Sequence, residues 1–121
     1  MPCVLIVEDD PDIREFMELL LADAGYDTMT AENGSLALER MRARRPCLVL
    51  LDLAMPVMDG WEFRERQLAD PELAQVPVIC ITAAFDPANV SARLKVPCLP
   101  KPVSFSAVLD EVQNACGSRG E

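Results

Sequence analysis

The sequence contains no histidine. This absence excludes metal sites built on imidazole, and it excludes the pairs of serine or cysteine with histidine that activate many nucleophiles. The chain also lacks a run of about 20 apolar residues, which a membrane-spanning helix needs. No basic residue precedes the first apolar run, Val4 to Val7, so no secretory signal is indicated. We therefore expect carboxylate, hydroxyl or amine chemistry, a cytoplasmic location and no membrane partner.

Basic residues are scarce as well, with 11 against 20 acidic residues and a net charge of −9. Such a field repels phosphate backbones, so we expect no direct binding to nucleic acid. The cysteines form no C-x-x-C pair, and most lie in or beside apolar stretches, where a reduced thiol packs as a small hydrophobe. We therefore predict that all five are packing residues in a reducing compartment: Cys3, Cys47, Cys80, Cys98 and Cys116.

The 121 residues are enough for one domain with a buried core, so we expect a single domain over 1–121 in which 117–121 form a frayed tail. Short β-rich runs alternate with amphipathic stretches about five times, which is typical of an α/β fold with helices on both faces of a parallel sheet. The runs 47–51 and 78–81 are apolar at every position, as expected of central strands buried on both faces.

Capping residues predict where the helices begin. Asp10 is the predicted cap of the first helix and Ser104 opens the last. Asn33-Gly34 lead into a second helix over roughly 35–43, and a third begins near 59–61. Gly25 is placed to end the first helix, and a second strand is predicted over 26–30. Helical spacing of Phe16, Met17, Leu20 and Leu21 predicts a core-facing stripe. The segment 85–96 has few apolar residues, so we expect a short or irregular fourth helix.

Polar side chains follow four of the predicted strands at the point where each strand ends. They are Glu8 and Asp9, Asp52, Thr82, and Lys101. In an open parallel sheet, ligands bind beyond the carboxyl ends of the strands, so we expect these groups to meet. Each one alone has an ordinary explanation as a cap, a turn, a strand end or a surface lysine, but their combination favours one site.

Carboxylates that converge without a cation between them would repel one another strongly. Oxygen ligands without histidine favour Mg²⁺, or Mn²⁺ as a substitute, and Mg²⁺ commonly ligates phosphate. With the Lys101 ammonium nearby, a phosphoryl group could pass to a carboxylate and form an acyl phosphate. The sequence therefore predicts a phosphoacceptor site.

These residues lie within segments that closely resemble the receiver domain of bacterial two-component response regulators. The resembling segments are Val4-Leu5-Ile6-Val7-Glu8-Asp9-Asp10, residues 50–60 around Asp52, Ile81-Thr82-Ala83 and Pro100-Lys101-Pro102. The resemblance implies a flavodoxin-like fold with strand order 2-1-3-4-5. It also implies that Asp52 accepts a phosphoryl group from the phosphohistidine of a sensor histidine kinase or a histidine phosphotransfer protein, and that the domain then alters its binding to a downstream protein.

The resemblance further implies a role for each matching position. Asp9 and Asp52 would bind Mg²⁺ directly, with the Ala54 carbonyl as a third ligand and Glu8 acting through water. Thr82 and Lys101 would contact the phosphate, and Ala83 is the small residue expected beside it. Two features depart from the family pattern: Cys98 stands where a switch Tyr or Phe is usual, and the spacing from Thr82 to Lys101 is shorter by about three residues.

Two other functions are compatible with this pattern. A pseudo-receiver would keep the fold as a protein-binding module without phosphate turnover, but the acidic, hydroxyl and amine set is intact. A phosphatase with an aspartyl-phosphate intermediate would share the Asp, Thr and Lys set. Such enzymes usually need a second acid two residues after the nucleophile, where this chain has Ala54. The phosphoacceptor receiver is therefore the favoured interpretation.

Overall fold

The computed structural model describes residues 2–53, 58–82, 87–101 and 104–117. Within these ranges the strands are β1 (Cys3–Val7), β2 (Asp27–Ala31), β3 (Leu48–Asp52), β4 (Val78–Thr82) and β5 (Cys98–Pro100). The helices are α1 (Pro11–Asp23), α2 (Gly34–Ala43), α3 (Gly60–Ala69), α4 (Pro87–Leu94) and α5 (Phe105–Cys116). Among the helices so described, none combines the length and the apolar character needed to cross a bilayer.

The strands form one parallel sheet in the order β2-β1-β3-β4-β5, which confirms the predicted flavodoxin-like fold. The register of this sheet aligns the strand ends. Val7 pairs with Leu51, Asp52 pairs with Ile81, and Thr82 pairs with Pro100. Glu8 therefore follows β1 at the level of Asp52, while Lys101 follows the residue that pairs with Thr82. The carboxyl edge of the sheet thus gathers the polar residues that lie far apart in the sequence.

The sheet is buried because helices cover both of its faces. Every residue of β1, β3 and β4 is buried. Alternate side chains enter different clusters: Leu5 packs with Phe63 of α3 on one face, and Ile6 packs with Val108 of α5 on the other. This alternation explains the continuously apolar runs, since neither face of these strands meets water.

The predicted starts of α1, α2, α3 and α5 agree with the structure to within about one residue. Side-chain oxygens of Asp10, Asn33, Asp59 and Ser104 accept hydrogen bonds from backbone N–H groups in the first turns of α1, α2, α3 and α5. Gly25 follows α1 with φ 97°, the left-handed region that favours glycine. Strand β2 begins and ends one residue later than predicted, and α4 has only eight residues. Local capping chemistry was therefore a dependable guide to these boundaries.

The predicted core stripe of α1 is wrong for Phe16. Met17 and Leu21 are buried, whereas Phe16 is 50% exposed. Successive helical residues lie about 100° apart, so Phe16 and Met17 cannot both point at the sheet. Phe16 instead stacks on Phe105 of α5, with 4.8 Å between the ring centroids. The two aromatic rings thus connect α1 and α5 at the surface.

The prediction of five reduced packing cysteines is wrong for Cys47 and Cys116, which form a disulfide. Cys47 immediately precedes β3 and Cys116 is the last residue of α5, so the bond fastens the end of this helix to the start of a central strand. Each cysteine has apolar neighbours, as a packing thiol would, and 69 positions separate the two. Cys3, Cys80 and Cys98 are free. The spacing of the cysteines was therefore a poor guide to their redox state.

Gly60 holds α3 against the end of β3. Its N–H donates to the Leu53 carbonyl at 2.9 Å, and a Cβ at this position would lie 2.8 Å from Leu53 Cα and 2.9 Å from the Asp52 carbonyl oxygen. The backbone atoms nearest this position leave no room for a methyl group. The close approach therefore fixes where β3 ends and where Asp52 lies.

We predict that Gly60→Ala lowers the free energy of unfolding by about 1–3 kcal/mol, because α3 must move away from β3. Urea unfolding measures the change. Gly34→Ala is the comparison: the nearest contacts of its added Cβ are mainly with the flexible Met58 side chain, Cγ at 2.8 Å, so a smaller loss is expected. An equal or larger loss in Gly34→Ala would contradict this account.

Candidate functional site

The carboxyl edge of the sheet brings together the side chains of Glu8, Asp9, Asp52, Thr82 and Lys101, which line one surface cavity of about 620 Å³. They reach this cavity from the ends of four strands, so no single loop builds the site. The structure therefore places five of the predicted site residues in one location, where their charges act on one another.

The carboxylates of Glu8, Asp9 and Asp52 form an acidic cluster at this edge. Each offers one oxygen, and these oxygens lie within 4.8 Å of one another. Glu8 is 6% exposed and Asp52 is 7% exposed, while Asp9 is open to solvent. Three hard oxygen ligands around one point match the preference of Mg²⁺, which keeps waters in its remaining positions. The cluster therefore fits a divalent cation that is half enclosed by protein.

Lys101 forms the ion pairs that the structure gives this cluster. Its Nζ lies 3.3 Å from Asp52 Oδ1 and 3.6 Å from Glu8 Oε1. Burial alone would lower the pKa of Lys101, but the charges of Asp52 and Glu8 more than offset this and raise the pKa. The backbone N–H of Lys101 donates to the Thr82 carbonyl at 2.9 Å, which fixes the lysine beside β4. The amine is therefore positioned and cationic.

Glu8 has the most perturbed carboxyl group of the cluster. Its pKa is raised to about 7, chiefly by burial and also by the Asp52 charge, while the N–H of Asp10 opposes the rise by donating to Glu8 Oε2 at 3.2 Å. The Glu8 backbone is held on both sides, since its N–H donates to Ala31 and its carbonyl accepts from Arg14. Glu8 therefore gains a proton near neutral pH unless a cation replaces it.

Trp61 is a further residue of this cavity, for which the sequence allows either a contact role or partial packing on a helix and favours the packing. The sequence predicts it as a partly packed helix residue, and it is indeed half-buried on α3, where the guanidinium of Arg93 lies 4.7 Å from a ring centroid. It also lines the cavity, together with Asp9 and Lys101. The available signal was its place in the first turn of a helix that starts just beyond the Asp52 strand.

Other predicted positions have different outcomes. Ala54 and Ala83 lie outside the described residues. Cys98 lies on β5 as the register partner of Cys80, and burial raises the pKa of its thiol, while contacts with Cys80 and Ser91 oppose that rise. Cys98 is not among the described residues that line the cavity. Its assignment as an altered switch position stays a prediction.

A family model described as "Response regulator receiver domain" matches residues 4–113. The chain belongs to this family. Receiver domains of response regulators are signalling proteins, and this domain has the predicted fold and the expected acidic cluster.

The similar proteins include regulators longer than this receiver domain. The DNA-binding response regulator MtrA of Mycolicibacterium smegmatis is 39% identical over 76% of this chain and 39% of its own length. The transcriptional regulatory protein AfsQ1 of Streptomyces coelicolor is 36% identical over 100% of this chain and 53% of its own length. The receiver domain thus spans about half or less of these two relatives, and the DNA binding named for MtrA is not transferred to it.

Solved structures of similar length agree with the fold. The chemotaxis protein CheY4 of Vibrio cholerae has a TM-score of 0.85 and 29% identity, covering 95% of this chain and 98% of that one. The receiver domain of a signal transduction histidine kinase from Syntrophus aciditrophicus has a TM-score of 0.86 and 30% identity, covering 95% of this chain and 89% of that one. Receiver domains from different kinds of signalling protein therefore share this architecture.

The raised pKa of Glu8 predicts that protonation of this one group contributes stability to the metal-free domain at low pH. Its pKa rises from 4.5 to about 7 on folding, so the folded state binds more protons between these values. This contribution to stability is complete below pH 4.5 and is lost as the pH rises through about 7. Urea unfolding in chelator at several pH values measures it.

Glu8→Gln provides the control, because it keeps the size of the side chain and cannot ionise. Its unfolding free energy should fall less steeply with pH, so its advantage over the wild type should grow between pH 4.5 and about 7 and then level off. Parallel pH profiles for the two proteins would contradict the assigned shift.

Proposed function

We propose that this receiver domain accepts a phosphoryl group on Asp52 in a reaction that needs a divalent cation, and that phosphorylation changes its protein-binding surface. One observation carries the proposal: the Lys101 amine lies 3.3 Å from an Asp52 oxygen beside three clustered carboxylates. A nucleophilic carboxylate, a cation-binding set and a fixed amine are the groups that phosphoryl transfer to an aspartate requires.

Asp52 is the proposed acceptor because it is the central member of the set. It ends β3, the middle strand of the sheet, and it is almost completely buried. One of its carboxylate oxygens attacks phosphorus while the bond from phosphorus to the donor breaks, and the leaving group takes that electron pair. The product is an aspartyl phosphate, whose phosphate oxygens carry the negative charge that the neighbouring cationic groups would bind.

The neighbouring residues divide the remaining tasks. Asp9 and Asp52 would hold Mg²⁺ with the Ala54 carbonyl, and Glu8 would act through a water. Bound there, the cation would neutralise negative charge on the transferring phosphoryl group. Lys101 would pair with a phosphate oxygen in place of Asp52, and Thr82 would donate its hydroxyl to another. The small Ala83 would leave space for the phosphate.

We further propose that the donor is a phosphohistidine on a sensor histidine kinase or a histidine phosphotransfer protein. These 121 residues contain no histidine, so the donor phosphohistidine lies outside this domain. The similar receiver domain from Syntrophus aciditrophicus belongs to a histidine kinase. The output partner would be a protein, and the charge of −9 argues against direct contact with nucleic acid by this domain.

We predict that acetyl phosphate and Mg²⁺ together convert the domain to a form with one added phosphoryl group, because acetyl phosphate replaces the protein donor. Intact-protein mass spectrometry detects the adduct. Asp52→Asn should abolish it, and Lys101→Met should slow its formation by about 10²-fold or more, since the transferring charge loses a fixed cation.

The matched control is Asp110→Asn, which makes the same chemical change at an exposed position of α5. It should be phosphorylated at the wild-type rate. An adduct that persists in Asp52→Asn would contradict the assigned acceptor. Continuous release of phosphate from many phosphomonoesters, in the absence of acetyl phosphate, would support a phosphatase instead.

We predict that Mn²⁺ quenches the fluorescence of Trp61, the single tryptophan, in a saturable way. Trp61 lines the same cavity as the acidic cluster, and a paramagnetic ion quenches a nearby indole. Fluorescence titration gives the affinity, and excess Mg²⁺ should reverse the quenching. Asp9→Asn should weaken binding by about tenfold or more.

Asp110→Asn again serves as the control and should titrate like the wild type. Equal affinities for wild type and Asp9→Asn would show that the ion binds elsewhere. The result would then count against the proposed cation site even if phosphorylation occurred.

A further inference from the structure

The disulfide between Cys47 and Cys116 lies at the end of the domain opposite the acidic cluster. Cys47 precedes β3, whereas Asp52 ends the same strand. Helix α5 runs between the two ends: Phe105 begins it four residues after Lys101, and Cys116 ends it. Its 12 residues span about 18 Å. One covalent bond therefore anchors the far end of a helix whose near end adjoins the proposed site.

The last turn of α5 has few other anchors. The side chains of residues 113–115 are exposed, and this turn carries no basic residue to offset the negative end of the helix dipole. Besides the disulfide, the hydroxyl of Tyr26 donates to the Gly117 carbonyl at 2.7 Å. The disulfide therefore adds a covalent anchor to one side-chain hydrogen bond and the packing of Cys116 against the apolar cluster.

The middle of α5 is held independently of the disulfide. Val108 and Val112 are fully buried and pack in the same cluster as Ile6 and Leu50 of the sheet. Cleavage of the disulfide would leave this apolar contact in place. We therefore expect the reduced domain to stay folded, with the change confined to the end of α5.

The surroundings of the disulfide also suit the reduced state. Cys47 and Cys116 are both partly exposed, so the disulfide lies at the edge of the core and not within it. Cys47 Sγ lies 3.2 Å from the Cys3 carbonyl oxygen. A disulfide sulfur has no hydrogen to donate, whereas a Cys47 thiol could donate to this carbonyl without moving. The oxidised pair is thus joined by the disulfide, and in the reduced pair the Cys47 thiol has a hydrogen-bond acceptor in place.

We propose that Cys47 and Cys116 form a reversible redox clasp that controls the mobility of the end of α5, with a protein or small-molecule dithiol as the reductant. A thiolate of the reductant attacks one sulfur and displaces the other cysteine as a thiolate. The second thiol of the reductant then resolves the mixed disulfide. Two electrons and two protons pass to the protein, and the reductant leaves as a disulfide. The clasp is a function beyond the proposed phosphorylation and does not depend on it.

Thiol counting and hydrogen exchange test the clasp without a phosphoryl donor. The protein is oxidised with glutathione disulfide or reduced with dithiothreitol, and its thiols are counted after denaturation. We expect three thiols when oxidised and five when reduced, since one disulfide joins two of the five cysteines. Backbone amides of 113–117 should exchange about tenfold faster or more in the reduced state, while those of β3 should change little.

Cys47→Ser/Cys116→Ser should resemble the reduced wild type under both conditions. The matched variant Cys98→Ser retains the clasp and should respond to reductant as the wild type does. The comparison of oxidised and reduced wild type stands even if the double variant folds poorly. Five thiols after oxidation, equal exchange at the end of α5 in the two states, or failure of reoxidation to restore slow exchange would each overturn the proposal.

Discussion

The ion pair from Lys101 to Asp52 and Glu8 is the interaction on which the arrangement of the site depends. Three carboxylates meet at one edge of the sheet, and two of them are nearly buried. Without a nearby positive charge, their repulsion would favour protonation or displacement of the strand ends. Burial, together with the Asp52 charge, raises the pKa of Glu8 to about 7 even with Lys101 3.6 Å away, so one lysine does not fully stabilise the ionised cluster. The remaining deficit is what makes the cluster suited to a divalent cation.

The location of the site was predictable because the parallel sheet turns positions in the sequence into positions in space. Glu8, Asp52, Thr82 and Lys101 end or directly follow strands that run in the same direction, so their side chains reach a common edge whatever the intervening loops do. The buried apolar strands indicated a parallel sheet, since a run without polar residues is typical of a strand covered on both faces. Short local signals were thus enough for the architecture and for the convergence of the site.

The features that the sequence did not reveal depend on how elements turn and meet after folding. Whether Phe16 or Met17 faces the sheet is set by the rotation of α1, which the spacing alone leaves open. Trp61 reaches the cavity only because Gly60 lets α3 approach the end of β3. The Cys47 to Cys116 disulfide requires two distant segments to bring their Cα atoms within 5.3 Å. In each case the local sequence is equally consistent with an ordinary packing residue.

Helix α5 connects the acidic cluster at one end of the domain with the disulfide at the other. The backbone N–H of Lys101 donates to the Thr82 carbonyl, and only three residues separate Lys101 from the start of α5. A displacement of the lysine would therefore also displace Phe105. Phe105 is partly exposed, stacks on Phe16 and lines an apolar cavity of about 380 Å³, which leaves room for this end to move. The opposite end is bonded covalently to the start of β3. A displacement of Lys101 would therefore meet a helix that borders open space at its near end and is bonded covalently at its far end, an arrangement that does not involve position 98.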